Sequence, residues 1–221
     1  MKAIKARKTK TYDKQKIKAI FIDSGRVLNG PVTGHWFITP NFFNYVDKKV
    51  FESMLQCNIK NAFNSAGNYI TKQNLILTEE EEYGHFLEYY KIFNSELSEL
   101  NMDEDKIEVV TRDLVYNYDK YKFYNDALEI IPELSKIYKL ALVSDAWPSL
   151  EELNVSAEEV IFIDDSIKNC DGANKLGIKS FLLCRDLKSF MYNKLTCKNH
   201  VVIRSLNDVI KYIFWAFFIN L

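Results

Sequence analysis

Hydrophobic positions along this chain follow two patterns that occupy different stretches. In the first, short unbroken apolar runs end in a carboxylate or a hydroxyl. Ala19-Ile20-Phe21-Ile22 runs into Asp23 and the loop Ser24-Gly25-Arg26, Leu140–Val143 runs into Ser144-Asp145, and Val160–Ile163 runs into Asp164-Asp165. Apolar runs without helical spacing, closed by turn residues, read as strands buried on both faces of a parallel sheet. Lys179–Leu183 is a fourth short strand, and Val201-Val202-Ile203 offers a fifth. Between them, Tyr124–Ile137 has the spacing of an amphipathic helix, and a helix from Ile167 to Leu176 is stopped by Gly177.

The second pattern fills the stretch from Leu28 to Tyr121, where no strand alternation is visible and helical spacing dominates. A loop rich in Gly, Pro and aromatics leads to a helix around Phe42–Leu55. Thr78 reads as an N-cap with a capping box, opening a helix through about Leu97. The acids Glu79 to Glu82 suit the positive end of that helix and are not read as a metal site. Asp103–Tyr118 forms a further helix with Ile107, Val110, Leu114 and Val115 on one face. The expected organisation is a basic, disordered lead-in (1–16), an α/β core (17–29 and 122–208), a helical insert (30–121) and a hydrophobic C-terminal helix or tail (209–221).

Composition narrows the function classes. With 221 residues and a net charge of −1, the chain carries no basic excess to favour nucleic acid or an anionic membrane. Cys57, Cys170, Cys184 and Cys197 lack CxxC spacing and read as reduced thiols of a cytoplasmic protein. The basic N-terminus has no apolar core and is not a secretory signal. The apolar C-terminus, Val209 to Leu221, is shorter than the roughly 20 residues that span a bilayer. It reads as a closing helix packed on the domain or on a partner, without stable membrane insertion.

Three parallel strands of one sheet bring Asp23, Ser144 and the Asp164/Asp165 pair to one edge. Ligands of open α/β sheets bind beyond the carboxyl ends of the strands. Asp23 is therefore a candidate nucleophile or metal ligand, with a capping Asp as the plainer reading. The Ser144 hydroxyl can hold a phosphate oxygen or simply cap a helix. Asp164 and Asp165 repel each other, and a divalent cation with oxygen ligands relieves that repulsion.

In these stretches the sequence resembles the haloacid dehalogenase-like (HAD) superfamily of hydrolases. FIDSGRVL is similar to its first motif, LALVSDA to its second and VIFIDDSIKNCDGANKLGI to its fourth, and the helical insert falls where that family carries a C1 cap. The resemblance implies a Rossmann-like parallel sheet with an inserted helical cap. It implies Asp23 as the nucleophile, forming an aspartyl-phosphate, and Mg²⁺ held by Asp23, the Gly25 carbonyl, Asp164 and Asp165. Ser144 and Asp145, with Ser24, Gly25 and the backbone amides of the Ser24–Arg26 loop, would bind substrate. Cap residues near His35 and Trp36 would face the leaving group. Gly25 replaces the second Asp of many family phosphatases, as in the branch resembling sugar-phosphate phosphatases, so the expected partner is a small phosphorylated metabolite.

One departure matters. The family's third motif supplies a Lys between the second and fourth motifs, and here only Asp145 to Glu159 join the two strands, without a Lys. A parallel crossover takes about a dozen residues, so there is room for one crossover and not for an additional strand. An edge strand and its Lys are expected to be missing, with one short helix, Pro148–Leu153, in their stead. Lys168, just after the Asp pair, is a candidate substitute, but its helix position is expected to point it to solvent. The Leu140–Val143 strand would then be exposed, with the C-terminal tail as a candidate cover. Three readings follow: a Mg²⁺-dependent phosphatase; a catalytically impaired or inactive form of the fold that binds a ligand or partner, or is a relic; and a metal-independent haloacid dehalogenase, against which the paired acids argue.

Overall fold

β1 (Ala19–Asp23) is an interior strand of the molecule's first unit, and Ala19 to Ile22 have almost no exposed surface. In this computed structural model, which describes residues 16–73, 76, 78–143 and 155–214, the chain divides into two units. One runs to Gly30 and resumes at Phe123; the other is Pro31–Lys122.

The first unit is a five-stranded parallel sheet. Its strands are β1, β4 (Lys139–Val143), β5 (Val160–Asp164), β6 (Lys179–Leu183) and β7 (Val201–Ile203), in the order β4-β1-β5-β6-β7. Side chains alternate between the two faces, as the period of a strand requires. Ile20, Ile22, Ile161, Ile163, Phe181 and Leu183 meet Ala127, Ile130 and Leu134 of the helix Asn125–Ser135 on one face. Ala19, Phe21, Val160 and Phe162 meet Ala173 and Ile178 on the other. Continuous apolar runs in the sequence are thus the signature of strands covered twice.

β4 is the edge strand among the described residues, and Leu142 is 63% exposed there. Among the described residues the sheet ends at β4, and the segment where the further strand was expected to be missing, 144–154, lies outside them. The expected helix Pro148–Leu153, and with it Ser144 and Asp145, lies outside the described residues, as does 215–221. The C-terminal helix Asn207–Phe214 buries Val209 and Ile213 in the first face and sets Tyr212 edge-on to Phe181 of β6, 5.6 Å between ring centres. Its described part therefore docks at β6, three strands along from β4, and the rest of the tail that was the candidate cover for β4 lies outside the described residues. Among the described residues no helix is long and apolar enough to cross a membrane.

The second unit contains the helices Phe42–Tyr45, Lys48–Ser53, Gln56–Ile70, Glu79–Glu96 and Glu104–Tyr116. The single helix expected around Phe42–Leu55 is two, because Asp47 takes an extended conformation and its carboxylate caps a new start at Lys49 and Val50. The helix Gln56–Ile70 follows, and Leu187–Thr196 is a helix in the first unit; neither was expected from the sequence. The absence of strands between Leu28 and Tyr121 also needs correction. β2 (Asn29–Pro31) and β3 (Tyr121–Phe123) pair into a two-stranded sheet. Three-residue strands are too short to display an alternation.

The core of this unit is aromatic, with Phe42, Tyr89, Tyr90 and Phe93 fully buried. The Tyr90 hydroxyl donates to the Phe37 carbonyl at 2.8 Å. The buried Lys120 ammonium donates to the Leu114 and Val115 carbonyls at the end of Glu104–Tyr116, where a cation suits the helix dipole. Burial holds its pKa below the usual lysine value.

Candidate active site

Register fixes the site. Asp23 is paired with Val143 at the end of β1, Ile22 with Ile163, and Asp164 with Leu182, so the ends of β1 and β5 stand side by side. The three carboxylates Asp23, Asp164 and Asp165 each direct an oxygen into one small region, all within 4.8 Å of one another. Octahedral Mg²⁺ has ligands at about 2.1 Å and accepts donor pairs up to about 4.2 Å apart. Side-chain shifts of about half an ångström bring this all-oxygen set within reach. The residues present therefore fit a hard divalent cation.

Asp164 is the most constrained of the three. It is 1% exposed, accepts the Ser166 amide at 2.6 Å on Oδ1 and accepts the Asn169 side-chain amide at 3.0 Å on Oδ2. Ser166 also caps the helix Ile167–Lys175 by accepting from the Asn169 amide. One turn of helix thus aims one carboxylate. Asp165 is half-buried and sits 3.6 Å from the Arg26 guanidinium. Lys168 is exposed, as expected.

The loop after β1 is tightly cross-linked. Leu28 and Asn29 amides donate to the Ser24 carbonyl, the Arg26 amide donates to the Asn29 carbonyl at 2.7 Å, and the Asn29 side chain donates to the Ser24 hydroxyl at 3.0 Å. The Arg26 amide is therefore committed within the loop, which corrects the expectation that it binds phosphoryl oxygens. A second surprise is conformational. The turn's positive φ belongs to Arg26, at 59°, and not to Gly25.

Arg185, two residues beyond β6, holds this loop from outside. Its Nε donates to the Arg26 carbonyl at 3.0 Å and Nη2 to the Val27 carbonyl at 2.6 Å. The same guanidinium makes a two-pronged pair with Asp126 at 3.0 and 3.1 Å and stacks 3.7 Å above the Tyr124 ring. Asp126 also accepts from the Ser205 hydroxyl and the Leu206 amide, both at 2.8 Å. Burial alone would raise the pKa of Asp126, but the Arg185 bond and these two others outweigh it and hold the carboxyl below the usual range.

Sequence reasoning missed Arg26, Asn169, Arg185 and Asp126. A signal existed for Arg26 and Asn169, which belong to the quoted first- and fourth-motif stretches, and none for Arg185 and Asp126. His35 is engaged within its own unit: its ring centre lies 4.2 Å from that of Phe63, its Nδ1 accepts the Phe37 amide at 3.3 Å, and burial lowers its pKa. Trp36 sits with its ring centre 5.8 Å from that of Tyr121. A second polar cluster looks like a nucleophilic triad, with His200 bonded to Ser180 at 2.6 Å and Asp171 at 2.9 Å. Ser180 is only 3% exposed and also bonds Asn174 at 3.0 Å, so the cluster ties strand to helix instead of meeting substrate.

A five-stranded parallel sheet with carboxylates at the ends of β1 and β5, and a long helical insert after β1, is the HAD-like α/β fold. Three solved structures share it. The chain aligns with a HAD-hydrolase from Bacillus subtilis, YfnB, bound to magnesium, at a TM-score of 0.53 and 12% identity over 90% of this chain and 99% of that one. L-2-haloacid dehalogenase from Xanthobacter autotrophicus gives 0.52 and 12% over 89% and 98%. A 2-haloacid dehalogenase from Pseudomonas syringae gives 0.50 and 10% over 89% and 98%. No protein-family model and no curated protein matches the chain at the level of sequence.

Proposed function

We propose that this protein is a Mg²⁺-dependent hydrolase of phosphoric monoesters, acting on a small phosphorylated metabolite. The observation that carries the reading is the convergence of Asp23, Asp164 and Asp165 within 4.8 Å at the end of a HAD-like sheet. Three carboxylates so close repel one another unless a cation offsets them. Asp23, Asp164 and Asp165, with the Gly25 carbonyl, would hold Mg²⁺, which would neutralise that charge and polarise a phosphoryl oxygen when bound.

In the proposed reaction a carboxylate oxygen of Asp23 attacks phosphorus and the bond from phosphorus to the ester oxygen breaks. The leaving alkoxide takes a proton from water, because Gly25 stands where a general acid would. Water then attacks the phosphorus of the aspartyl-phosphate, releasing inorganic phosphate and restoring Asp23. Asn169 and the Ser166 amide keep Asp164 aimed throughout. Ser24, Ser144 and Asp145 remain the proposed substrate contacts. Gly25 favours a sugar phosphate, and four unpaired thiols suit the cytoplasm.

The test is phosphate release from p-nitrophenyl phosphate and a panel of sugar phosphates, with Mg²⁺ or with chelator. Asp23→Asn is expected to lower release by about 10⁴-fold or more, since removing a nucleophile removes the covalent path. Release that persists in chelator, or in Asp23→Asn, would sink the mechanism. Halide release from 2-haloacids without metal would favour the dehalogenase reading, as named for two of the similar structures.

A further inference from the structure

The loop after β1 contains a cation that nothing in the reaction above uses. Arg26 has a left-handed backbone, φ 59°, a conformation a side chain with a Cβ adopts at a cost in strain. Glycine is the residue suited to it, and one stands next door at Gly25. A strained arginine in place of a relaxed glycine is retained only where the surroundings enforce it.

Two observations show what enforces it and where the side chain goes. The backbone is held on both sides: the Arg26 amide donates to Asn29, and the Arg26 carbonyl accepts from Arg185. Arg185 is itself locked by Asp126 and by the Tyr124 ring, so it acts as a rigid post. With the backbone fixed in this way, the guanidinium stands 3.6 Å from Asp165, on the rim of the three-carboxylate site. It is not a buried partner: the Arg26 side chain is 66% exposed. The contact with Asp165 is long for a charge-assisted hydrogen bond. A long, exposed ion pair is weak and is readily exchanged for a better acceptor.

We propose that Arg26 receives the phosphoryl group of the substrate, and that Arg185 is the positioning residue that holds Arg26 in the conformation that lets it do so. This rests on the phosphatase reading and supplies what it lacks, a positive charge beside three carboxylates and a phosphate dianion. Arginine suits the task because its planar fork can bond two phosphoryl oxygens at once. In the absence of phosphate the same guanidinium partly neutralises Asp165. Arg26 therefore competes weakly with a divalent cation for that carboxylate and is released toward substrate once the cation is bound.

The experiment is calorimetric titration of the intact chain with MgCl₂, and then with inorganic phosphate at saturating Mg²⁺, for wild type, Arg26→Gln, Arg26→Gly, Arg185→Lys and Arg26→Gln/Arg185→Lys. Both Arg26 variants are expected to weaken phosphate binding about tenfold or more and to tighten Mg²⁺ binding about two- to threefold as Asp165 loses its competitor. Arg26→Gly guards against misfolding, because glycine relaxes the left-handed position, and its melting temperature is expected not to fall. Arg185→Lys keeps the charge but loses the two-carbonyl clamp, so phosphate binding falls while Arg26 is present. The double variant is expected to bind phosphate no more weakly than Arg26→Gln alone, a coupling that a merely structural Arg185 would not produce.

Arg26 variants that bind phosphate like wild type, while wild type binds both Mg²⁺ and phosphate, overturn the assignment and leave the phosphatase reading standing. Additive losses in the double variant overturn the role of Arg185. A wild-type protein that binds neither ion overturns both the reading and the assignment.

Discussion

The two units bury themselves in different ways, and the difference shows where chemistry can reside. The α/β unit uses aliphatic strands, and their parallel register leaves three carboxylates crowded at one end. The inserted unit uses rings: Phe42, Tyr90 and Phe93 meet at 6.4–6.5 Å between centres, and Phe63 lies 4.7 Å from Phe93. Its most buried acid, Asp113, is fully engaged in structure, accepting from the Asn41 amide, the Asn41 side chain and the Asn117 side chain at 2.7–3.0 Å. The carboxylates that converge on one region belong to the α/β unit, whereas aromatic packing fills the other, where Asp113 is satisfied although the buried Tyr89 hydroxyl has no hydrogen-bond partner among the described residues. Charge left in conflict is what a metal and an anionic substrate can resolve.

The most forceful way to separate the units is to damage the aromatic one. Phe93→Ala removes a fully buried ring from the centre of the cluster. The expected loss is about 3–5 kcal/mol of unfolding free energy, read by urea denaturation. Under conditions where the variant remains folded, Mg²⁺ affinity is expected to stay within about twofold of wild type, because every proposed ligand lies in the other unit. A large loss of Mg²⁺ affinity would mean that the insert takes part in holding the metal site, and the comparison would fail.

Each unit also has one carboxylate that organises a loop, and here the comparison predicts similarity. Burial alone would raise the pKa of Asp113 and of Asp126, and in both the accepted hydrogen bonds outweigh it, so both lie below the ordinary aspartate value of 3.8. A carboxylate with a depressed folded pKa contributes stability that is fully present above its unfolded value. That contribution is lost as pH falls through the folded value, because the unfolded state takes up the proton first. Stability to urea is therefore expected to decline below about pH 4. Asp126→Asn is expected to cost about 1–3 kcal/mol at neutral pH, since Arg185 loses its ion pair, and to flatten part of the acid slope. An unchanged slope in both Asp113→Asn and Asp126→Asn would show that these carboxylates are not what anchors the loops.

How legible each unit was in the sequence follows from the same physics. Strands covered on both faces have to be uninterrupted apolar runs, so β1, β5 and β6 were readable to within a residue, and the carboxylates that end β1 and β5 came with them; β4 reads the same way although Leu142 on it is 63% exposed. The helices Glu79–Glu96 and Glu104–Tyr116 were readable because Thr78 and Asp103 cap them with side-chain oxygens. Gln56–Ile70 starts after Leu55 with no side-chain cap, and nothing local announces it. The three-residue strands β2 and β3 were invisible for lack of length. Arg26 and Arg185 were missed for a different reason. They are 159 positions apart; Arg185 depends on backbone carbonyls of the Arg26 loop, and Arg26 stands against a carboxylate that follows β5. A periodicity cannot encode that.

The smallest expected effect sharpens the comparison within the sheet itself. β1 has a strand on each side, whereas β4 has one, and Leu142 is 63% exposed at that edge. An apolar strand with unpaired backbone groups is a template for pairing with another chain, and a lysine on such an edge is a common natural safeguard. Leu142→Lys is expected to shift unfolding free energy by no more than about 0.5 kcal/mol, as most surface substitutions do. It should nevertheless raise the concentration at which the protein begins to scatter light on mild heating. The control is Ile22→Lys, on β1 between two strands, which puts a charge into a fully buried position and is expected to abolish folding. If Leu142→Lys were as damaging as that control, β4 would be a covered strand in solution.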